Sequence, residues 1–301
     1  FAEIDRLSAV GSALAPVSNW IRAVPGSRSL MEKTLGIARE RTLPTFERET
    51  LRDWFDERGG ARIDESEADH RVVLVPDTYT NYSRPGVGKA AVRVLEAAGV
   101  HVQVAEVTDT GRPAYSLGFV ETARSRARTV VESLSPRVEE GWQVVTVEPS
   151  DAVMIQSDYA DLLSGDEAAE MMAATYGVCE YLDLHGLLAG VAFEAPGQTL
   201  TYHGHCHLKA TKKDGHAAAV LREAGYLVDR LDSGCCGMAG SFGYEAEHHS
   251  MSRAIADILY RQVENSPGEE VVAPGASCRS QLGERYGEIP HPIQKLHDAL
   301  V

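Results

Sequence analysis

The chain has 301 residues, 44% of them hydrophobic and 24% charged, a balance that excludes a disordered polypeptide. A formal net charge of −15 argues against a nucleic-acid backbone as partner, and no apolar run approaches the roughly twenty residues that span a bilayer. The start, FAEIDRLSAVGSALAP, carries no basic n-region and no initiator methionine; a cytoplasmic chain without a secretory signal is expected, either a piece of a longer polypeptide or a processed product.

Residues 1 to about 57 read as helices. Ile4, Leu7, Val10, Leu14, Val17, Ile21 and Val24 recur at threes and fours, which predicts a buried helical stripe kinked at Pro16. Leu30, Met31 and Leu35 mark a second helix, and Leu51, Trp54 and Phe55 a third. The polar stretch DERGGARIDESEADH (56–70), broken by Gly-Gly, reads as a linker. From residue 72 the pattern changes to short apolar runs separated by helical segments. VVLV (72–75) predicts a strand, PGVGKAAVRVLEAAG (85–99) a helix ending at Gly99, and VHVQVAEV (100–107) a second strand. A helix around 119–134, the strand QVVTVEPS (143–150) and a helical stretch from about 166 to 188 leading to Pro196 follow. Alternating strand and helix implies a parallel or mixed sheet covered by helices.

The same order then repeats. VLEAAG (94–99) matches VLREAG (220–225) at an offset of 126, and VEPSD (147–151) occupies the place of PGASC (274–278). Tyr159 and Tyr286 keep an offset of 127, and TDTGRPAYSLG (108–118) falls where SGCCGMAGSFG (233–243) falls. Two copies predict an α/β fold of two pseudo-symmetric lobes, with residues 1–70 as an N-terminal helical segment and linker, 71–190 as the first lobe and 191–301 as the second.

Four of the five cysteines sit in turns of the second copy, each after a predicted strand: Cys206 in YHGHCHLKA, Cys235 and Cys236 in the glycine turn, and Cys278 in APGASCRSQL. Such turns converge on one crevice in an open α/β sheet. Four thiolates meeting there suit one iron–sulfur cluster or one tetrahedral zinc. The glycines let the backbone bend close to a metal and turn amide N–H groups toward the sulfurs. Ordinary buried thiols are the plain alternative, and an oxidised, metal-free Cys235–Cys236 pair is another.

The spacing of a cysteine, then CCG, then a distant cysteine resembles the cysteine-rich CCG domain, on the text HGHCHLKA, GCCGMAGSFGYEAEH, APGASCRSQL and HPIQKL. First-copy stretches DTYTNYSRPGVGKAAVRVLEAAG, GRPAYSLG and EPSDAVMIQSDYADLL are similar to the same family, so the resemblance covers residues 72–301. Members include the C-terminal part of FAD-linked D-lactate, D-2-hydroxyglutarate and glycolate dehydrogenases and the anaerobic glycerol-3-phosphate dehydrogenase C subunit. The resemblance implies a 4Fe–4S cluster, or zinc in its place, on Cys206, Cys235, Cys236 and Cys278. It also implies FAD on a separate flavin-containing dehydrogenase domain or subunit, a ferredoxin-type iron–sulfur domain as partner, and a quinone or other acceptor, with residence in the cytoplasm or peripherally at the inner membrane face. Thr78, Asp109, Thr110 and Asp151 lie where many relatives carry cysteines, so no metal is expected in the first lobe. CRSQ replaces a final CxxC, with Ser280 or Gln281 where a second cysteine would stand, so one cluster rather than a larger paired one is expected.

Other candidates have blander readings. Cys179 lies in the helical pattern MMAATYGVCEYLDL and reads as core. His203, His205 and His207 alternate around Cys206; ligation or crevice lining competes with a supporting or surface role. His248 and His249 read as solvated, and Asp151 as a turn or cap residue. GMAGSFG lacks the Lys-Ser/Thr ending of a phosphate loop. Three functions compete: an iron–sulfur electron-transfer module, a zinc-stabilised structural or assembly module, and a thiol–disulfide redox protein acting at Cys235–Cys236.

Overall fold

Val72 and Leu74 bury themselves in one core while Val73 and Val75 enter another. This alternation puts opposite faces of one strand under helices. It sets the architecture of the first half of the computed structural model, which describes residues 1–21, 24, 26–194 and 197–301. Pro196 and the side chain of Ile21 lie outside the described residues.

In that half, β1 (His70–Val75), β2 (Val100–Val104), β3 (Gln143–Thr146) and β4 (Thr175–Gly177) form a sheet in the order β2-β1-β3-β4. Every pairing is parallel. In the second half, β5 (Thr199–Tyr202), β6 (Leu227–Arg230) and β7 (Glu270–Val272) are parallel in the order β6-β5-β7. The first three strands of each half therefore share one order. Their ends match as well: Leu74 O accepts from Ala105 N at 2.9 Å, and Tyr202 O accepts from Leu231 N at 3.0 Å. The chain is an α/β protein of two similarly wound lobes.

The helices fall into three groups. Ahead of the first sheet lie α1 (Ile4–Ala13), α2 (Val17–Ile21), α3 (Ser27–Leu35) and α4 (Leu51–Glu57). The first lobe carries α5 (Thr78–Tyr82), α6 (Pro85–Ala97), α7 (Arg112–Ser116), α8 (Val120–Glu139), α9 (Pro149–Val153), α10 (Tyr159–Leu162), α11 (Asp166–Ala174) and α12 (Val178–Leu184). The second carries α13 (Cys206–Ala210), α14 (Gly215–Glu223), α15 (His249–Glu264), α16 (Ala276–Tyr286) and α17 (Pro292–Asp298). One core joins the inner faces of both sheets through α6, α12, α14 and α17, and two further cores fill the outer faces.

Three expectations need correction. The N-terminal stripe is helical but not buried: Leu7, Val10, Leu14, Val17 and Val24 are each more than half exposed. The covered face of α1 consists of Ser8, Gly11 and Ser12. A Cβ on Gly11 would lie 2.6 Å from the Phe46 ring, and Ser12 Oγ donates to Glu47 O at 2.5 Å, so only small residues allow the approach. Leu30 and Leu35 of α3 are exposed too, whereas Leu51 and Phe55 of α4, the expected third helix, are buried. The stretch 166–188 is not one helix. Thr175, Tyr176 and Gly177 break it and pair with β3 as an edge strand, favoured by a β-branched and an aromatic residue ahead of glycine. The strand expected over 143–150 ends at Thr146, because Pro149 opens α9.

Candidate metal centre

The four cysteines stand at the carboxyl ends of β5, β6 and β7. Cys206 is the first residue of α13, whose cap is His205, with Nδ1 accepting from His207 N at 3.3 Å. Cys235 and Cys236 occupy the turn after β6, and Cys278 lies in the first turn of α16. Gly237 follows the pair at φ +90°, and a Cβ there would sit 2.4 Å from the carbonyl oxygen of Ser252. That turn needs glycine for its backbone and its space. Gly111, at φ +89°, holds the matching turn of the first lobe.

All four cysteines line a single pocket of about 520 Å³ between the lobes. Their thiols neighbour one another in the order Cys206, Cys235, Cys236, Cys278. Hydrogen bonds from Cys206 and Cys236 hold Cys235 far below an ordinary thiol, and the bond from Cys236 does the same for Cys278. Cys206 and Cys236 are pushed up by the same bonds. Gly237 N–H donates to Cys235 Sγ at 3.3 Å. A ring nitrogen of His203 and the sulfurs of Cys236 and Cys278 lie within 4.8 Å of one another. Four soft sulfur donors, an amide aimed at one of them and an imidazole against two fit a thiophilic metal or iron–sulfur cluster.

Cys179 is elsewhere, in the core shared by the lobes, where burial pushes its thiol up to about 12. His203 and His205 are buried, which removes the surface reading for both. His207 lines the pocket, and burial lowers it to about 4. His248 and His249 are half-buried rather than solvated, His248 stacking on Phe242 at 4.4 Å.

Across the pocket the first lobe offers oxygen in place of sulfur. Thr78 Oγ1 donates to Asp5 Oδ1 at 2.9 Å, Thr110 Oγ1 donates to Asp151, and Asp109 pairs with Arg126 at 3.2 Å. Each of these side chains is engaged by a protein partner. Asp151 does not cap α9; Glu148 does.

Two residues of the site were not legible as such. Glu148 reaches from the first lobe to the helix carrying Cys278, its Oε2 accepting from Ala276 N at 2.7 Å. Its only sequence signal is a glutamate before proline at a helix start. Arg41 is fully buried behind the glycine turn, Nε donating to Gly243 O at 2.6 Å and a terminal nitrogen paired with Glu284 at 2.9 Å. Nothing local in its sequence marks it.

Residues 200–283, which span all four cysteines, match the family of the CCG cysteine-rich domain. The second lobe carries a CCG domain. The chain is also homologous to the C subunit of the anaerobic glycerol-3-phosphate dehydrogenase of Escherichia coli K12, 28% identical over an alignment that covers 98% of this chain and 75% of that one. D-2-hydroxyglutarate dehydrogenase of the same organism is 27% identical over 75% of this chain and 22% of its own length. Lactate utilization protein A of Geobacillus thermodenitrificans is 27% identical over 76% of this chain and 94% of its own. The chain thus shares ancestry with components of oxidoreductases. Among the described residues no helix is long and apolar enough to cross a membrane.

Proposed function

We propose that this chain is the iron–sulfur electron-transfer part of a flavin-linked dehydrogenase acting on a 2-hydroxyacid of the D-lactate or glycolate type, or on glycerol 3-phosphate. The observation that carries the reading is the continuous chain of four thiols in one pocket. Cys206, Cys235, Cys236 and Cys278 would hold one 4Fe–4S cluster, which when bound exchanges single electrons. Oxidation of the organic substrate belongs to FAD on a separate domain or subunit, and a ferredoxin-type domain links the two. On this reading residues 1–70 form a helical segment, 71–190 a metal-free lobe and 191–301 the cluster lobe.

A quinone is the acceptor favoured here, because Phe1, Ile4, Pro113, Leu117 and Phe242 give the same pocket an apolar wall. The exposed Leu7, Val10, Leu14, Val17 and Trp20 of the N-terminal helices support a peripheral seat at the inner membrane face. Anaerobic reconstitution tests the reading. Iron and acid-labile sulfide should appear in equal amounts, with a brown chromophore bleached by dithionite. A colourless protein that takes up zinc and no iron would instead assign the site to structure or assembly.

A further inference from the structure

His203 follows β5, is 1% exposed, and places its two ring nitrogens in different surroundings. Nδ1 lies 2.7 Å from Ser233 Oγ. Nε2 is buried with no hydrogen-bond partner, and a nitrogen of this ring is within 4.8 Å of the sulfurs of Cys236 and Cys278. Ser233 Oγ in turn receives a hydrogen bond from Lys209 Nζ at 2.9 Å, and the same ammonium donates to Ser233 O.

An ammonium has three donors and no acceptor, whereas a serine hydroxyl has one proton and two lone pairs. Lys209 therefore occupies a lone pair of Ser233. Among the described residues the hydroxyl proton then has one acceptor, Nδ1 of His203. With Nδ1 accepting, the imidazole proton resides on Nε2, the nitrogen left facing sulfur. The reverse tautomer would strand the serine proton and turn a lone pair toward metal-bound sulfurs, which accept but do not donate.

The first lobe supplies an internal comparison. Leu74 and Tyr202 make equivalent ladder bonds, as do Ala105 and Leu231. The residue after Leu74 is Val75, where the second lobe has His203. The lobe without cysteines lacks the histidine of the relay.

We infer that Lys209, Ser233 and His203 form a fixed relay that presents the Nε2–H of His203 to the sulfur of Cys278, so that His203 is a positioning residue that raises the reduction potential of the group held there. A donor to sulfur stabilises the more negative, reduced state. For its effect on potential the inference rests on the four-thiol reading above; the tautomer does not depend on it.

The test has two arms. In redox titration of the reconstituted chain, His203→Leu should keep the iron content and shift the equilibrium about tenfold toward the oxidised form, ~59 mV for a one-electron couple. His203→Gln, which retains an N–H, should recover part of that shift, and Ser233→Ala should move the potential the same way by less. An unchanged potential in His203→Leu, or loss of iron marking His203 as a ligand, overturns the assignment. If His203→Leu does not fold, Ser233→Ala decides: a parental potential counts against the relay. The second arm is heteronuclear NMR of histidine-labelled, metal-free protein, with His203→Gln assigning the resonance. An Nε2–H tautomer is expected, and an Nδ1–H tautomer overturns the inference. If the parent takes up no iron, the cluster reading fails and this arm alone decides the relay.

Discussion

Cys179 and Cys236 are both buried thiols with opposite surroundings. Cys179 sits among apolar side chains, where losing its proton is costly and its thiol rises to about 12. Cys236 lies between the sulfurs of Cys235 and Cys278. Cys236→Ser is therefore expected to reduce iron per chain several-fold on reconstitution, while Cys179→Ser leaves it at the parental level. Iron loss from the second variant but not the first would reverse the ligand assignment. Asp151 shows a different effect of burial. Its carboxyl is held well above the usual range by desolvation and then by the charge of Asp77. The folded chain keeps a proton that the unfolded chain releases, so this contribution to stability is full below the usual carboxylate range and is lost as pH rises through the folded value. Asp151→Asn, whose Oδ1 still accepts from Thr110, should raise the thermal midpoint at about pH 8 and change it little near pH 4. Melting curves that keep the same separation across that range would show that the charge of Asp151 carries no cost.

At the scale of elements, legibility followed the distance over which each signal acts. VVLV reads as a strand because both its faces are covered, and the CCG turn reads as a ligand site because adjacent cysteines beside glycine have few other uses. Periodicity located the N-terminal helices but could not say which side is covered. The cover comes from Phe46 and Glu47, and their close approach selects glycine and serine. The strand Thr175–Gly177 was hidden inside good helix formers and exists only because β3 has an open edge. Arg41 is the extreme case, since its partners Gly243 and Ser252 lie more than two hundred positions away. It holds the glycine turn from behind, and Ser252 Oγ also donates to Gly237 O at 2.6 Å. Arg41→Ala leaves Gly243 O and Ser252 Oγ without their donor, while Glu284 keeps Arg253 as a cation. A loss of about 1–3 kcal/mol is expected from leaving buried acceptors unsatisfied. Denaturant titration measures it, and faster alkylation of Cys235 in the metal-free variant should accompany it. A loss under about 1 kcal/mol would mean that the turn holds itself.

At the scale of the whole molecule, the shared core decides how the lobes behave. Tyr202, Leu221 and Ile293 of the second lobe are packed in the same buried cluster as Leu74, Val94 and Leu182 of the first. Helix α17, near the end of the chain, lies on α6 of the first lobe. Glu148 adds a polar tie: its carboxylate accepts from Ala276 at the start of the helix bearing Cys278. Cutting the chain at residue 196 would expose apolar surface on both pieces and leave that amide without its acceptor. Each fully buried aliphatic side chain exposed in this way costs roughly 1.5–3 kcal/mol, so a few of them outweigh the total stability of about 5–15 kcal/mol typical of a domain. The intact chain should accordingly unfold in one cooperative step, with far-ultraviolet dichroism and tyrosine fluorescence coinciding. A fragment of residues 197–301 should bind a hydrophobic dye and fail to protect its four cysteines from alkylation, whereas the intact metal-free chain protects Cys236 and Cys278. Mixing the fragment with residues 1–196 should restore that protection. A fragment that melts cooperatively alone, with Cys236 and Cys278 protected, would make the second lobe self-sufficient and the shared core incidental to the site.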